Sequence, residues 1–248
     1  MGVVYIMWLR QLKKYWRSKP RMIGSLAQPL LFLVALGFGF GPIFQKAGGG
    51  NYIDFLAPGI IAMSVLFTAM FAGIEVIWDR QFGFLKETLV APVSRAKIML
   101  GRTLGGATVA SLQGFLVLLI SFLIGFRVQN IFYIPIALLL MFITAMFFTS
   151  FGTAIASKLE DMQAFQLIMN FLIMPIFFLS GALFPLDSLP NALVIITRFN
   201  PLSYGVDGIR GALTGVSHLG MMMDFSVMIV ITAIILAIGS YLFSKIEV

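Results

Sequence analysis

Apolar residues fill this chain in six long blocks separated by short polar islands. Blocks of at least about 18 apolar residues match the hydrocarbon thickness of a bilayer and exceed most core helices. They predict spans over Met22–Phe44, Leu56–Trp78, Leu104–Gly125, Ile131–Ala156, Phe165–Pro185 and Phe225–Phe243. The runs are continuous, whereas a membrane β-barrel requires alternation. Ahead of the first block, Tyr5, Trp8, Leu9, Leu12, Tyr15 and Trp16 recur at helical spacing, and Arg10, Lys13, Lys14 and Arg17 take the other face. That predicts an amphipathic helix within residues 1–21, lying in the headgroup layer with its aromatic residues as anchors. The predicted fold class is all-α, a polytopic membrane protein with one transmembrane domain over residues 1–248.

Composition agrees with the pattern. The chain is 60% hydrophobic, above the roughly 45–50% of soluble domains. Its net charge of +7 belongs to the membrane setting rather than to nucleic acid, because the bases gather beside apolar runs. With both termini on one side, 13 of the 17 Lys and Arg residues fall on that side and four on the other. The positive-inside rule then predicts cytoplasmic termini in a plasma-membrane protein. No cysteine is present, so disulfides and thiol chemistry are excluded.

One island stands out. Asp79 to Lys97 reads DRQFGFLKETLVAPVSRAK and lies on the cytoplasmic side of that topology. Phe82, Leu85 and Leu89 share a helical face, with Arg80, Lys86 and Glu87 on others, predicting an amphipathic helix over Asp79–Val90. Pro92 ends it, because a proline disfavours helical geometry at the residue before it. Ser94 suits the cap of a following helix that carries Arg95 and Lys97 in its first turn. The segment predicts a docking element for another protein.

On the opposite side, Pro175 interrupts the fifth block, and Pro185, Pro190 and Pro201 punctuate the stretch between it and the sixth. The apolar pieces Asn191–Ile196 and Leu202–Leu213 are too short to cross a bilayer. Irregular backbone near lipid must be buried in protein. A compact, partly re-entrant outer hairpin is expected, with Asp187, Arg198, Asp207 and Arg210 as internal ion pairs or, as the sharper alternative, a polar filter at the exit. Gly37 with Gly41, Gly101 with Gly105, and Gly106 with Ala110 and Gly114 are spaced for close helix packing, within the bundle or at a dimer seam. Gly48-Gly49-Gly50 is expected to be a flexible turn.

The stretch GFLKETLVAPVSRAKIMLGR resembles the cytoplasmic coupling region of ABC-2-type transporter permeases, especially daunorubicin-resistance-type drug exporters. FFLSGALFPLDSLPNALVIITRFNPLSYGVDGIRGAL resembles the same family's fifth span and outer hairpin. The resemblance covers essentially the whole chain. It implies a non-catalytic permease subunit, with ATP and magnesium bound by a separate cytoplasmic ABC ATPase, and pairing with a second permease, identical or not. The sequence carries no Gly-x-x-x-x-Gly-Lys-Ser/Thr loop of its own. The ATPase contact is then expected at Asp79, Arg80, Phe82, Gly83, Leu85, Glu87, Pro92 and Arg95. The outer hairpin residues are Pro185, Asp187, Pro190, Asn200, Pro201, Asp207 and Arg210.

Glu75 is the one ionisable residue inside the predicted spans. It is expected to reach water or pair with Arg80 or Arg102, with gating as the sharper alternative. His218 is the only histidine, and no metal ligand set is apparent. A secondary transporter would need more ionisable groups within its spans. A lipid-modifying enzyme would need clustered acids and histidines, and only Glu160 with Asp161, or Asp79 with Glu87, come near.

Overall fold

The computed structural model describes residues 2–46, 50–90, 92–185 and 190–246, and no strand occurs among them. The chain opens with α1 (Gly2–Arg17) and α2 (Lys19–Lys46), followed by α3 (Tyr52–Gln81) and the short α4 (Phe84–Val90). Next come α5 (Arg95–Ile124) and α6 (Ile134–Ala156), the latter entered through a 3-10 turn at Ile131–Tyr133. α7 (Met162–Ile168), a π turn (Met169–Ile173) and α8 (Met174–Phe178) form one broken helix. α9 (Asn191–Phe199), α10 (Pro201–Thr214) and α11 (Met221–Ser244) complete the described chain.

Five helices are long and apolar enough to cross a membrane: α2, α3, α5, α6 with its 3-10 turn, and α11. The expected fifth span over Phe165–Pro185 is different. Its apolar helix covers Met162–Phe178 and contains the π turn. Pro175 has no N–H to donate to the preceding turn, and that breaks the regular ladder. Beyond Phe178 the chain leaves helical geometry, with Gly181 at φ 75°. Residues Ser180–Leu183 fold back onto α3, where Tyr52 Oη donates to the Leu183 carbonyl at 3.1 Å.

α3 is the central post, packed against α2, α5, α6 and α10. Close approach comes from glycine where two backbones meet. A Cβ on Gly73 would overlap the Gly152 backbone of α6. The small-residue spacings of α5 serve the same purpose inside one chain. Gly101 faces Val4 and Met7 of α1, Gly105 faces Gln11, and Gly106 and Gly114 face α3 and α6. Gly37 meets Ile53, whereas Gly41 faces open space.

The aromatic face of α1 is divided between protein and exterior. Tyr15 is buried against Gln113, and Trp8 Nε1 donates to Thr108 Oγ1 at 3.0 Å, so both hold α1 on α5. Tyr5 and Trp16 remain exposed.

The expected helix over Asp79–Val90 begins later than its periodicity indicated. α3 continues through Gln81, the chain breaks at Phe82-Gly83, and α4 starts at Phe84. Gly83 sits at φ 79°, a conformation natural to glycine and strained for other residues. α5 begins at Arg95 behind Ser94, although Ser94 makes no side-chain capping bond. Gly48, Gly49, Asp187 and the side chain of Leu89 lie outside the described residues.

Candidate functional site

The break after α3 creates the most distinctive surface of the molecule. Leu85 is buried and anchors α4, while Phe82, Phe84 and Val90 are 70%, 53% and 84% exposed. Lys86, Glu87 and Pro92 are exposed beside them, and Gly83 is half-buried at the bend. Phe84 and Val90 of α4, with Phe82 at the bend before it, form an exposed apolar patch beside charged side chains.

Three neighbours assigned to that contact by sequence are engaged elsewhere. Asp79 is buried and paired with Arg102, and it also accepts from Arg10 at 3.1 Å. Arg80 pairs with Glu160 at 3.3 Å. Arg95 donates to the carbonyls of Ser244 and Ile246 at 2.6 and 2.9 Å, closing the end of α11. Arg95→Ala is expected to speed amide exchange around residues 242–246 several-fold and leave α3 amides protected. Unchanged exchange at that end would mean the guanidinium is not what holds it.

Glu75 has different partners from those expected. It pairs with Lys14 at 3.3 Å and Arg21 at 2.8 Å, not with Arg80 or Arg102. Both bases come from the N-terminal region, 61 and 54 positions earlier in the chain (75 − 14 and 75 − 21). With Asp79, Arg10 and Arg102, these groups form one cluster joining α1, α2, α3 and α5. Buried carboxylates are tolerated when paired in this way.

Above Glu75, a cavity of about 520 Å³ opens between α1, α2, α3 and α5. Its walls carry Phe67, Phe71 and Trp78 together with Gln28, Ser64 and Thr68. The Ser64 hydroxyl is buried and has no hydrogen-bond partner among the described residues. Gln113 presents Oε1 to Tyr15, whose phenol is held above its usual range by burial, partly offset by Arg21. On α7 and the π turn, Gln163, Gln166 and Asn170 are all exposed, and beside them Leu167 and Phe171 are exposed too. Sequence reasoning passed over this polar stripe, although its spacing of three and four was visible.

Among the described residues the outer hairpin is held by hydrogen bonds, and Arg198, Asp207 and Arg210 form no ion pair with one another; Asp187 lies outside those residues. Asp207 accepts from Ser217 Oγ and from the backbone N–H groups of His218 and Leu219, fixing the turn before α11. Arg210 donates to the Gly181 carbonyl at 2.8 Å and lies 4.3 Å from the Phe55 ring centroid. Asn200 caps α10 by accepting from Leu202 N–H and also donates to the Ile176 carbonyl at 2.6 Å. Pro201 occupies the first turn, where its missing N–H costs nothing, and Pro190 precedes α9. Pro185 ends the folded-back stretch before the undescribed residues. Asp224, also buried, has no side-chain partner among the described residues.

Of the four acids considered for lipid chemistry, Glu87 is exposed on α4 and the other three have structural roles. Glu160 pairs with Arg80, Asp161 caps α7 through Gln163 N–H, and Asp79 belongs to the buried cluster. Among the described residues there is no group of three or more His, Cys, Asp and Glu able to hold a metal.

Long apolar helices around a buried central post mark a multi-pass membrane protein. More narrowly, the chain belongs to the ABC-2 type transporter family, whose model matches residues 2–214. It is 32% identical over 198 residues to "Nodulation protein J" of Rhizobium leguminosarum bv. trifolii, covering 78% of this chain and 74% of that relative. A "Putative transport permease ycf38" of Cyanophora paradoxa is 31% identical over 196 residues, covering 76% and 66% respectively. "Nodulation protein J" of Rhizobium meliloti (strain 1021) is 30% identical over 206 residues, covering 81% and 77%.

Proposed function

We propose that this chain is the membrane-spanning permease of an ATP-driven exporter whose ATP and magnesium are bound by a separate cytoplasmic ABC ATPase. The observation that carries the reading is the exposed surface of α4, bounded by Gly83 and Pro92, with Phe82, Phe84, Glu87 and Val90 facing outward. It stands on the end of α3, so a push on α4 acts on the most buried of the five long helices. Asp79, Arg80 and Arg95 support that surface from behind instead of forming it. The termini and α4 face the cytoplasm in this reading, following the distribution of Lys and Arg.

The cargo is an amphipathic molecule: a drug, a lipid-like compound or a glycan-bearing one. Its route runs along the cavity beside α3, where aromatic rings alternate with amide and hydroxyl groups and Glu75 with Arg21 sets the charged end. The stripe of Gln163, Gln166 and Asn170 places polar groups on an otherwise apolar exterior, as a pathway shared with a second permease requires. α10, buried through Leu202–Leu213, forms the floor of a re-entrant outer hairpin that closes the far end.

Glu87→Arg is expected to lower ATP-driven transport at least tenfold in proteoliposomes containing the ATPase, while membrane insertion and thermal stability persist. Co-purification of the ATPase in mild detergent should fall in parallel. Full transport with Glu87→Arg and with Phe84→Asp would remove α4 from the contact. ATP-independent flux without the partner would favour a secondary transporter or channel.

A further inference from the structure

A second opening lies at the N-terminal half of α1, whereas the cavity meets α1 further along at Gln11 and Tyr15. It is a groove of about 890 Å³ between the first half of α1, the Pro92–Ser94 linker, the first half of α5 and Phe142 of α6. Its two ends differ chemically. At the mouth, Lys97 is exposed and forms no ion pair among the described residues, and the Ser94 hydroxyl is uncommitted to its helix. Deeper, the walls are Val4, Trp8, Leu104 and Phe142. The one hydroxyl there, Thr108, already donates to the Leu104 carbonyl at 2.7 Å and accepts from Trp8 Nε1. The inner part therefore offers no unmet polar group to a ligand, only hydrocarbon and ring surface.

The dimensions are informative. Lys97 and Thr108 are eleven residues apart on one helix, about 16 Å at the α-helical rise. One leaflet of a hydrocarbon core is about 15 Å deep. Leu104 opens the predicted span, so the groove runs from Lys97 at headgroup level to Thr108, about 6 Å into that leaflet, with a cation at the headgroup end. Basic pockets at the rim of membrane helices attract anionic lipid headgroups. An uncharged occupant would leave Lys97 without a counter-charge, and a water-soluble one would leave the apolar length unfilled.

We propose that this groove is a binding site for one anionic phospholipid of the adjoining leaflet, with an acyl chain along α5 and its phosphate at Lys97. The lipid fills the wedge between α1 and α5 and so fixes the angle at which α1 lies on the bundle. This inference concerns the leaflet beside α1 and α4 and stands whatever the cargo is.

Trp8 in the groove wall supplies the probe. In the full chain carrying Trp16→Phe and Trp78→Phe, Trp8 is the only tryptophan left. Its fluorescence is read in phosphatidylcholine vesicles doped with a few per cent of brominated phosphatidylglycerol or brominated phosphatidylcholine. Quenching by the anionic lipid is expected at about fivefold lower mole fraction, the effect of one basic residue at an anionic surface. Lys97→Glu should abolish the preference, Lys97→Arg should keep it, and Lys86→Glu on α4 should leave it intact. Equal quenching by the two lipids overturns the site, as does a preference that survives Lys97→Glu. A preference lost equally with Lys86→Glu also overturns it, because diffuse surface charge then accounts for the attraction.

Discussion

Asp79→Ala is expected to destabilise the folded protein by about 3–5 kcal/mol, the cost of removing one partner from a buried charge pair. Arg102 is 3% exposed, and its guanidinium is held in the bundle by Asp79. Deleting the carboxylate strands Arg102 and releases Arg10 as well, so α1, α3 and α5 lose a common tie. A thermal melt followed by size-exclusion chromatography should show a large fall in midpoint. The double substitution Asp79→Leu with Arg102→Met should recover most of it, since an apolar pair of similar volume needs no counter-charge. An unchanged midpoint in the single variant would mean that water, not Asp79, satisfies Arg102.

Gly73→Val is expected to abolish the folded state outright. A Cβ at Gly73 would overlap the backbone of Gly152, and a backbone cannot rotate aside as a side chain can. Overpacking of a core costs about 1–3 kcal/mol where side chains can adjust, and more where they cannot. The comparison is Gly39→Val on α2, where a Cβ meets nothing within 4 Å. That variant should elute as the parent does, whereas Gly73→Val should aggregate or be degraded. A monodisperse Gly73→Val protein would show that α3 and α6 can separate without loss of the fold.

Several elements were legible from residue order alone because their causes are local. Four of the five long helices contain the predicted spans whole, and in α5 only Gly125 falls just past the end. Ser94 and the proline at 92 marked the start of α5, and Pro190 and Pro201 marked the small outer helices. What stayed hidden depends on distant neighbours. Nothing near Glu75 in sequence names Lys14 and Arg21, because α1 must first fold back onto α5. The glycine spacing of α5 announced a close approach, yet the partner at Gly101 and Gly105 was α1 of the same chain. Periodicity over Asp79–Val90 read through Gly83, since a helical wheel carries no information about φ. The exposed apolar side chains around α4 lie within the segment singled out for docking, whereas Asp79, Arg80 and Arg95 of that segment are engaged within the chain. Arg95 and Asp79 carry charge, as a contact needs, while their geometry commits them inward.

The position of α3 limits how this subunit can move. At 30 residues it is a rod of about 45 Å, clasped by α2, α5, α6 and α10 along its length. Leu85 ties α4 into the bundle, so displacement of that foot is not lost in a slack linker. A rod packed against four helices cannot slide by itself without opening voids along each contact, which close-packed interiors resist. The cheapest response to a force on α4 is a tilt of the whole bundle as one body. The gap that such a tilt opens lies outside the subunit, along whatever its free faces rest against.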